Sequence, residues 1–68
     1  MEKFAKRLKE LRAEKRWTIR GIAGQLGIAH TSYIRYEQNT AEPTQEVLLK
    51  MSDIFGVSVD YLLGKVDY

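Results

Sequence analysis

The sequence predicts an all-α fold, a bundle of five short helices. Apolar residues recur at helical spacing along the 68 residues, and no stretch alternates between apolar and polar residues as a strand would. Residues that cap or end helices separate these stretches at short intervals. The chain has no Cys and is 44% hydrophobic, which is typical of a folded domain without disulfides. We therefore expect a single domain over residues 1–68.

Five amphipathic stretches define the predicted helices. The first is expected over about 2–15, because Phe4, Leu8 and Leu11 follow an i, i+4, i+7 pattern. The others are expected over about 18–26, about 29–38, between Thr44 and Gly56, and over 59–63. Hydroxyl side chains that can accept a bond from a free first-turn N–H are the expected N-caps: Thr18, Thr44 and Ser58. Residues that tolerate a left-handed conformation are expected to end helices: Gly27, Asn39, Gly56 and Gly64.

Charge is distributed unevenly along the chain. The formal net charge is +2, but residues 1–36 carry nine Lys and Arg against three Glu, a net +6, whereas residues 37–68 carry a net −4. A basic half joined to an acidic half favours a surface that faces a polyanion. A run of lysines that only solvates the first helix would also produce this asymmetry, so composition alone leaves both interpretations open.

Several function classes are disfavoured by what the sequence lacks. No apolar run reaches the roughly 18 residues of a membrane span, and the charged N-terminal stretch has no apolar signal-peptide centre. We therefore expect a cytoplasmic protein with no membrane partner. His30 is the single His and there is no Cys, which disfavours a metal site. The chain also lacks a glycine-rich phosphate loop and a nucleophile–base arrangement, so we expect no enzyme, no cofactor and no small-molecule ligand.

The second and third predicted helices have the spacing of a helix-turn-helix. A connection of about three residues around Gly27 forces the helices to cross steeply, so the third helix can protrude and enter a DNA major groove. A helical wheel of that helix places Tyr33 and Tyr36 on a packing face, and Trp17 is expected at the edge of the core. The opposite face holds the predicted base-contacting residues, whose side chains suit base edges or a thymine methyl: His30, Thr31, Ile34 and Arg35.

Residues in order along the chain resemble those of a known family. They are RLKELR at 7–12, Leu26-Gly27-Ile28, Tyr36-Glu37, Pro43 and LLKMSDIFGVSVDYLLG at 48–64. The chain in this respect resembles the helix-turn-helix domain of phage repressor and Cro type, also called XRE-like. The resemblance implies a five-helix lambda-repressor-like bundle. It also implies sequence-specific binding to double-stranded DNA, usually as a homodimer, and regulation of transcription, which we expect to be repression.

The resemblance also implies roles for individual residues. Base-contacting positions of the family fall on His30, Thr31 and Arg35. A structural ion pair falls on Arg12 and Glu37, since pairing spares a partly buried charge its desolvation cost. Phosphate contacts of the family fall near Thr18, Gln38 and Thr40, and Arg20 and Ser32 complete our predicted phosphate-contacting set.

Two departures from the family pattern favour a second hypothesis. Ile19 stands where the family commonly has a Gln that braces against DNA, and Glu42 lies in a loop that is often basic. The alternative is a protein-interaction module of the same fold, an antitoxin or co-regulator component with weak DNA binding of its own. The apolar residues at the end of the chain, Tyr61, Leu62 and Val66, suggest a dimer surface, although a C-terminal cap on the core would explain them nearly as well.

Overall fold

A computed structural model describes residues Met1–Tyr68 and shows five α-helices and no strand. The helices are α1 (Glu2–Lys15), α2 (Ile19–Leu26), α3 (His30–Glu37), α4 (Gln45–Phe55) and α5 (Val59–Leu62). The predicted all-α architecture is confirmed. Three of the predicted helices are too long at their ends, because four of the residues included in them cap the helices without belonging to them: Thr18, Ala29, Gln38 and Leu63. None of the helices has the length and apolar character needed to cross a membrane.

Side-chain hydroxyls account for where α2, α4 and α5 begin. The hydroxyl of Thr18 accepts a hydrogen bond from the Gly21 N–H at 2.9 Å. Thr44 and Ser58 do the same for the N–H groups three residues onward, at 3.2 and 3.0 Å. All three predicted N-caps are confirmed, and each satisfies one backbone donor that the first turn leaves free.

The helix ends match the predicted left-handed residues with one addition. Gly27, Gly56 and Asn39 have φ of 70°, 69° and 60°. Arg16 also adopts this conformation, with φ 59°, and closes α1 through a bond from its N–H to the Ala13 carbonyl at 3.0 Å. The sequence offered no Gly or Asn there, so backbone bonding alone identifies this end.

The core is one apolar cluster to which every helix contributes. Its members are Phe4, Leu8, Leu11, Ile22, Ala23, Leu26, Tyr33, Tyr36, Met51, Phe55 and Leu62. Trp17 is half-buried at the edge of this cluster, with its ring centroid 5.6 Å from that of Phe55. The predicted core positions of both tyrosines and of Trp17 are therefore confirmed.

The C-terminal segment folds back onto α1 through Arg7. The Arg7 guanidinium donates to the carbonyls of Tyr61 and Val66, the latter at 2.6 Å, and lies 4.2 Å from the centre of the Tyr61 ring. A third bond, to the Asp67 carboxylate at 3.4 Å, is longer and its acceptor is solvent-exposed. One cation thus joins the start of the chain to its end.

Candidate nucleic-acid interface

The connection between α2 and α3 is short and internally bonded. Gly27 takes the left-handed conformation, and the N–H groups of Gly27 and Ile28 donate to the Gly24 and Ala23 carbonyls at 3.1 and 3.0 Å. The half-buried Ile28 packs against the core. Because this turn satisfies the last carbonyls of α2 and then changes direction, α3 can pack across both α1 and α2.

The tyrosines of α3 hold it against the bundle. Tyr33 is fully buried and Tyr36 is 9% exposed. On the opposite side, Thr31 and Arg35 are exposed and His30 is half-buried. Arg35 forms no ion pair, so its guanidinium is free to bind a base edge or a phosphate. The helical wheel therefore separated buried from exposed residues correctly at Tyr33, Tyr36, Thr31 and Arg35, whereas His30 is half-buried rather than fully exposed. The DNA contacts of these residues stay a prediction.

Ile34 differs from its predicted exposed position. It is half-buried and lines a groove between α1, α2 and α3. Ile19, at the start of α2, lines the same groove and is also half-buried. A helical wheel describes one helix in isolation, so it could not show that Ile19 lies beside Ile34. The predicted full exposure of Ile34 was therefore wrong, while the predicted contact of Ile34 with a thymine methyl stays a prediction.

The predicted phosphate-contacting residues differ in their exposure and in the hydrogen bonds and ion pairs that they already form. Thr18, Arg20, Gln38 and Thr40 are exposed, and Ser32 is half-buried. Arg20 forms no ion pair. The Thr18 oxygen accepts a cap bond and its own hydroxyl proton is available to a phosphate. The Thr40 hydroxyl donates instead to the Arg35 carbonyl at 3.3 Å, so a phosphate would compete with that bond.

Arg12 and Glu37 form the predicted ion pair. The Arg12 Nε lies 2.6 Å from one carboxylate oxygen of Glu37, and its Nη2 lies 3.1 Å from the other. The Glu37 side chain is only 6% exposed. Burial alone would raise the pKa of Glu37, but the Arg12 hydrogen bonds and charge outweigh it and hold that pKa below its usual range. The same pairing raises the Arg12 pKa.

The Tyr33 hydroxyl is buried beside this pair. It makes no well-formed hydrogen bond, although it is near enough to interact with Glu37. Burial is the main cause that raises the pKa of Tyr33, and the Glu37 charge acts in the same direction. The hydroxyl therefore stays neutral, and the charge at this point belongs to Arg12 and Glu37 alone.

The predicted dimer surface needs correction at Leu62. That side chain is fully buried and belongs to the core, so it cannot contact another chain. Tyr61 and Val66 are half-buried, while Leu63 is 41% exposed. Helix α5 is one turn long, and its packing on α1 and α4 selects which of these adjacent residues points inward.

Arg7 is the residue at this end that the sequence analysis missed. Its contacts with Tyr61 and Val66 span more than fifty residues, and one Arg among five Lys and Arg in the first twelve residues carries no local signal of that role. The structure brings together no group of three His, Cys, Asp or Glu residues that could hold a metal ion.

Comparison with known proteins agrees with this architecture. A helix-turn-helix family model matches residues 8–62. The transcriptional regulator ImmR of Bacillus subtilis is 42% identical over 62 residues, which cover 91% of this chain and 49% of ImmR. The regulator AnsR of the same organism is 41% identical over 59 residues, covering 87% of this chain and 51% of AnsR.

A phage protein from another bacterium is also similar. The cryptic phage CTXphi transcriptional repressor RstR of Vibrio cholerae is 36% identical over 63 residues, covering 93% of this chain and 56% of RstR. The chain spans about half the length of the curated relatives it matches. No solved structure gives a significant match. The family model covers most of the chain and all but the ends of its helical bundle, and the chain therefore belongs to the helix-turn-helix family of phage repressor and Cro type.

Proposed function

We propose that this chain is the DNA-binding part of a transcriptional regulator, with α3 in the major groove. One observation carries the proposal. The buried tyrosines fix α3 on the bundle, and its other side presents Thr31, Arg35 and the half-buried His30. Near the start of α2, Arg20 is exposed and forms no ion pair. Arg can bind guanine O6 and N7 through two bonds, and Thr and His can donate or accept at base edges.

The proposed active form is a homodimer that represses transcription. Relatives are named as transcriptional regulators, and one is named as a phage repressor. Two copies would place their α3 helices in successive major grooves about 34 Å apart, on a site with matching two-fold symmetry. Tyr61, Leu63 and Val66, together with the exposed Tyr68, are apolar or aromatic side chains at the C-terminal end that retain exposed surface for such a contact. Access to the chromosome requires the cytoplasm, which is the proposed location.

The test is selection of a binding site followed by titration. Random duplex DNA is enriched on the purified chain, and the selected duplex is titrated by fluorescence anisotropy at about 50 and about 200 mM salt. Phosphate neutralisation releases counterions, so we expect affinity to fall steeply with salt and a shuffled duplex to bind far more weakly. If no duplex binds, or if binding is indifferent to salt, the proposed function is wrong.

Glu42 supports the second candidate function. This acidic residue is exposed in the loop that follows α3, where a carboxylate would repel a neighbouring phosphate. A protein-interaction module of the same fold, an antitoxin or co-regulator component, tolerates such a charge. Replacing Glu42 with Gln discriminates: a regulator that binds DNA gains affinity at low salt, whereas an interaction module binds DNA only weakly in both forms.

A further inference from the structure

The groove beside α3 combines apolar and cationic groups. It lies between α1, α2 and α3 and has a volume of about 230 Å³. Its lining residues are Lys9, Arg12, Ile19, Ile34, Glu37 and Gln38. Ile19 begins α2 and Ile34 lies one turn after His30 on α3, so the groove continues the proposed base-contacting side of α3.

The two isoleucines leave apolar surface that the bundle does not cover. Both are half-buried, and neither belongs to the buried core cluster. Ile19 packs partly against that cluster, whereas Ile34 does not. Burial of an aliphatic side chain away from water is favourable, so an apolar group of a ligand that covers this surface would be stabilised there. The apolar group that a DNA major groove offers is the C5-methyl of thymine.

The charges around the groove suit a duplex. Arg12 is matched by Glu37 through two hydrogen bonds, so this pair contributes no net charge. Lys9 is exposed and forms no ion pair. Its ammonium is therefore the uncompensated charge of the groove, and a phosphate is the anion that lies within a few ångströms of any thymine. The exposed Gln38 amide provides an uncharged donor at the same edge.

We infer that this groove binds a thymine of the operator, with the methyl group against Ile19 and Ile34 and an adjacent phosphate at Lys9. This inference rests on the proposed function, because it names the base that one part of the interface selects. It assigns Ile19 a specificity role, and it makes Lys9 a phosphate contact rather than part of a solvated face.

The experiment uses deoxyuridine, which pairs like thymidine but lacks the methyl. Each thymine of the selected duplex is replaced in turn, and the dissociation constant of the full chain is measured by fluorescence anisotropy. We expect one position in each half-site at which the replacement weakens binding about fourfold, the ratio that burial of one methyl group provides. In Ile34→Ala and Ile19→Ala the same replacement should change binding less than twofold, since the apolar wall is reduced.

Leu49→Ala is the matched control, because Leu49 is an aliphatic residue on α4 that is 56% exposed and does not line the groove. It should retain the full methyl dependence. The deoxyuridine series on the unaltered chain needs no variant to fold, so the absence of any effect can overturn the inference even if a substitution unfolds the protein. Binding that is unchanged by deoxyuridine at every position overturns the inference and leaves the proposed function intact. A chain that binds no duplex overturns both.

Discussion

Arg12 and Glu37, 25 residues apart, tie the last residue of α3 to α1. Two parallel bonds join the guanidinium to the carboxylate, at 2.6 and 3.1 Å, and a third, from Arg12 Nη1 to the Trp17 carbonyl at 3.2 Å, extends the contact to the residue before the α2 N-cap. One side chain therefore links α1, the end of the proposed DNA-contacting helix α3 and the connection that leads into α2. Its fork geometry suits this role better than a lysine would.

Loss of Arg12 should destabilise the fold. Arg12→Ala leaves the nearly buried Glu37 carboxylate without a partner, and we expect the free energy of unfolding to fall by about 2–4 kcal/mol. Urea denaturation followed by circular dichroism measures it. Lys50→Ala is the control, since it breaks the exposed Lys50–Glu46 pair at 3.6 Å and should cost less than about 0.5 kcal/mol. Equal losses of unfolding free energy in the two variants would show that the buried pair stabilises the fold no more than the exposed pair does.

Stability should fall in acid through Glu37. Its pKa is lower in the folded state than in the unfolded chain, so its stabilising contribution is complete above the unfolded value of about 4.3. That contribution is lost as the pH falls through the lower folded-state value. Unfolding free energies measured from pH 7 to pH 3 should decline less steeply in Glu37→Gln than in the unaltered chain. Parallel curves would contradict this assignment.

Gly24 and Gly27 should respond oppositely to alanine. A Cβ at either position would meet no atom within 4 Å, but Gly27 has φ +70° whereas Gly24 is helical. Gly24→Ala should stabilise the protein by about 0.5–1 kcal/mol. Gly27→Ala should destabilise it by about 1 kcal/mol, because an L-residue is strained in the left-handed region. Thermal denaturation of both variants compares the effect of the same side chain on two backbone conformations. If both melting temperatures shift in the same direction, positive φ at Gly27 does not explain the difference between the two positions.

Arg35 and Arg20 should affect DNA binding differently. If Arg35 contacts a guanine, Arg35→Ala should cost about 1–3 kcal/mol and relax preference at one position of the site. If Arg20 contacts a phosphate, Arg20→Ala should weaken binding similarly on all sequences and reduce the salt dependence. Titration against the selected duplex and its single-position variants distinguishes the two. A uniform effect of Arg35→Ala would assign Arg35 to the backbone instead.

Arg7 should hold the C-terminal segment in place. Arg7→Met removes the donors to the Tyr61 and Val66 carbonyls, and we expect a loss of about 1–3 kcal/mol. Hydrogen exchange at the Lys65 amide, which donates to the Asp60 carbonyl at 2.9 Å, should accelerate. Lys6→Met is the matched control on an exposed neighbour and should leave that exchange rate unchanged. Equal exchange in both variants would show that the segment is held by its apolar contacts.

Local chemistry made most of the fold predictable from sequence. The hydroxyls of Thr18, Thr44 and Ser58 act within three residues, so their cap roles depend on little else. The tyrosines of α3 were placed correctly because helical periodicity alone puts them on one side. The left-handed Arg16 was not predictable, since its conformation is imposed by the bonds that close α1.

The residues alone predicted the five helices, the N-caps Thr18, Thr44 and Ser58, the buried side of α3, and the Arg12–Glu37 partnership that the family resemblance implied. Each follows from spacing along one helix or from residues in a known order. The packing of the helices established that Leu62 is core, that Arg7 binds the far end of the chain, and that Ile19 and Ile34 share a groove. These features depend on the angles at which helices pack, and short helices of this kind acquire those angles from the whole core rather than from their own residues.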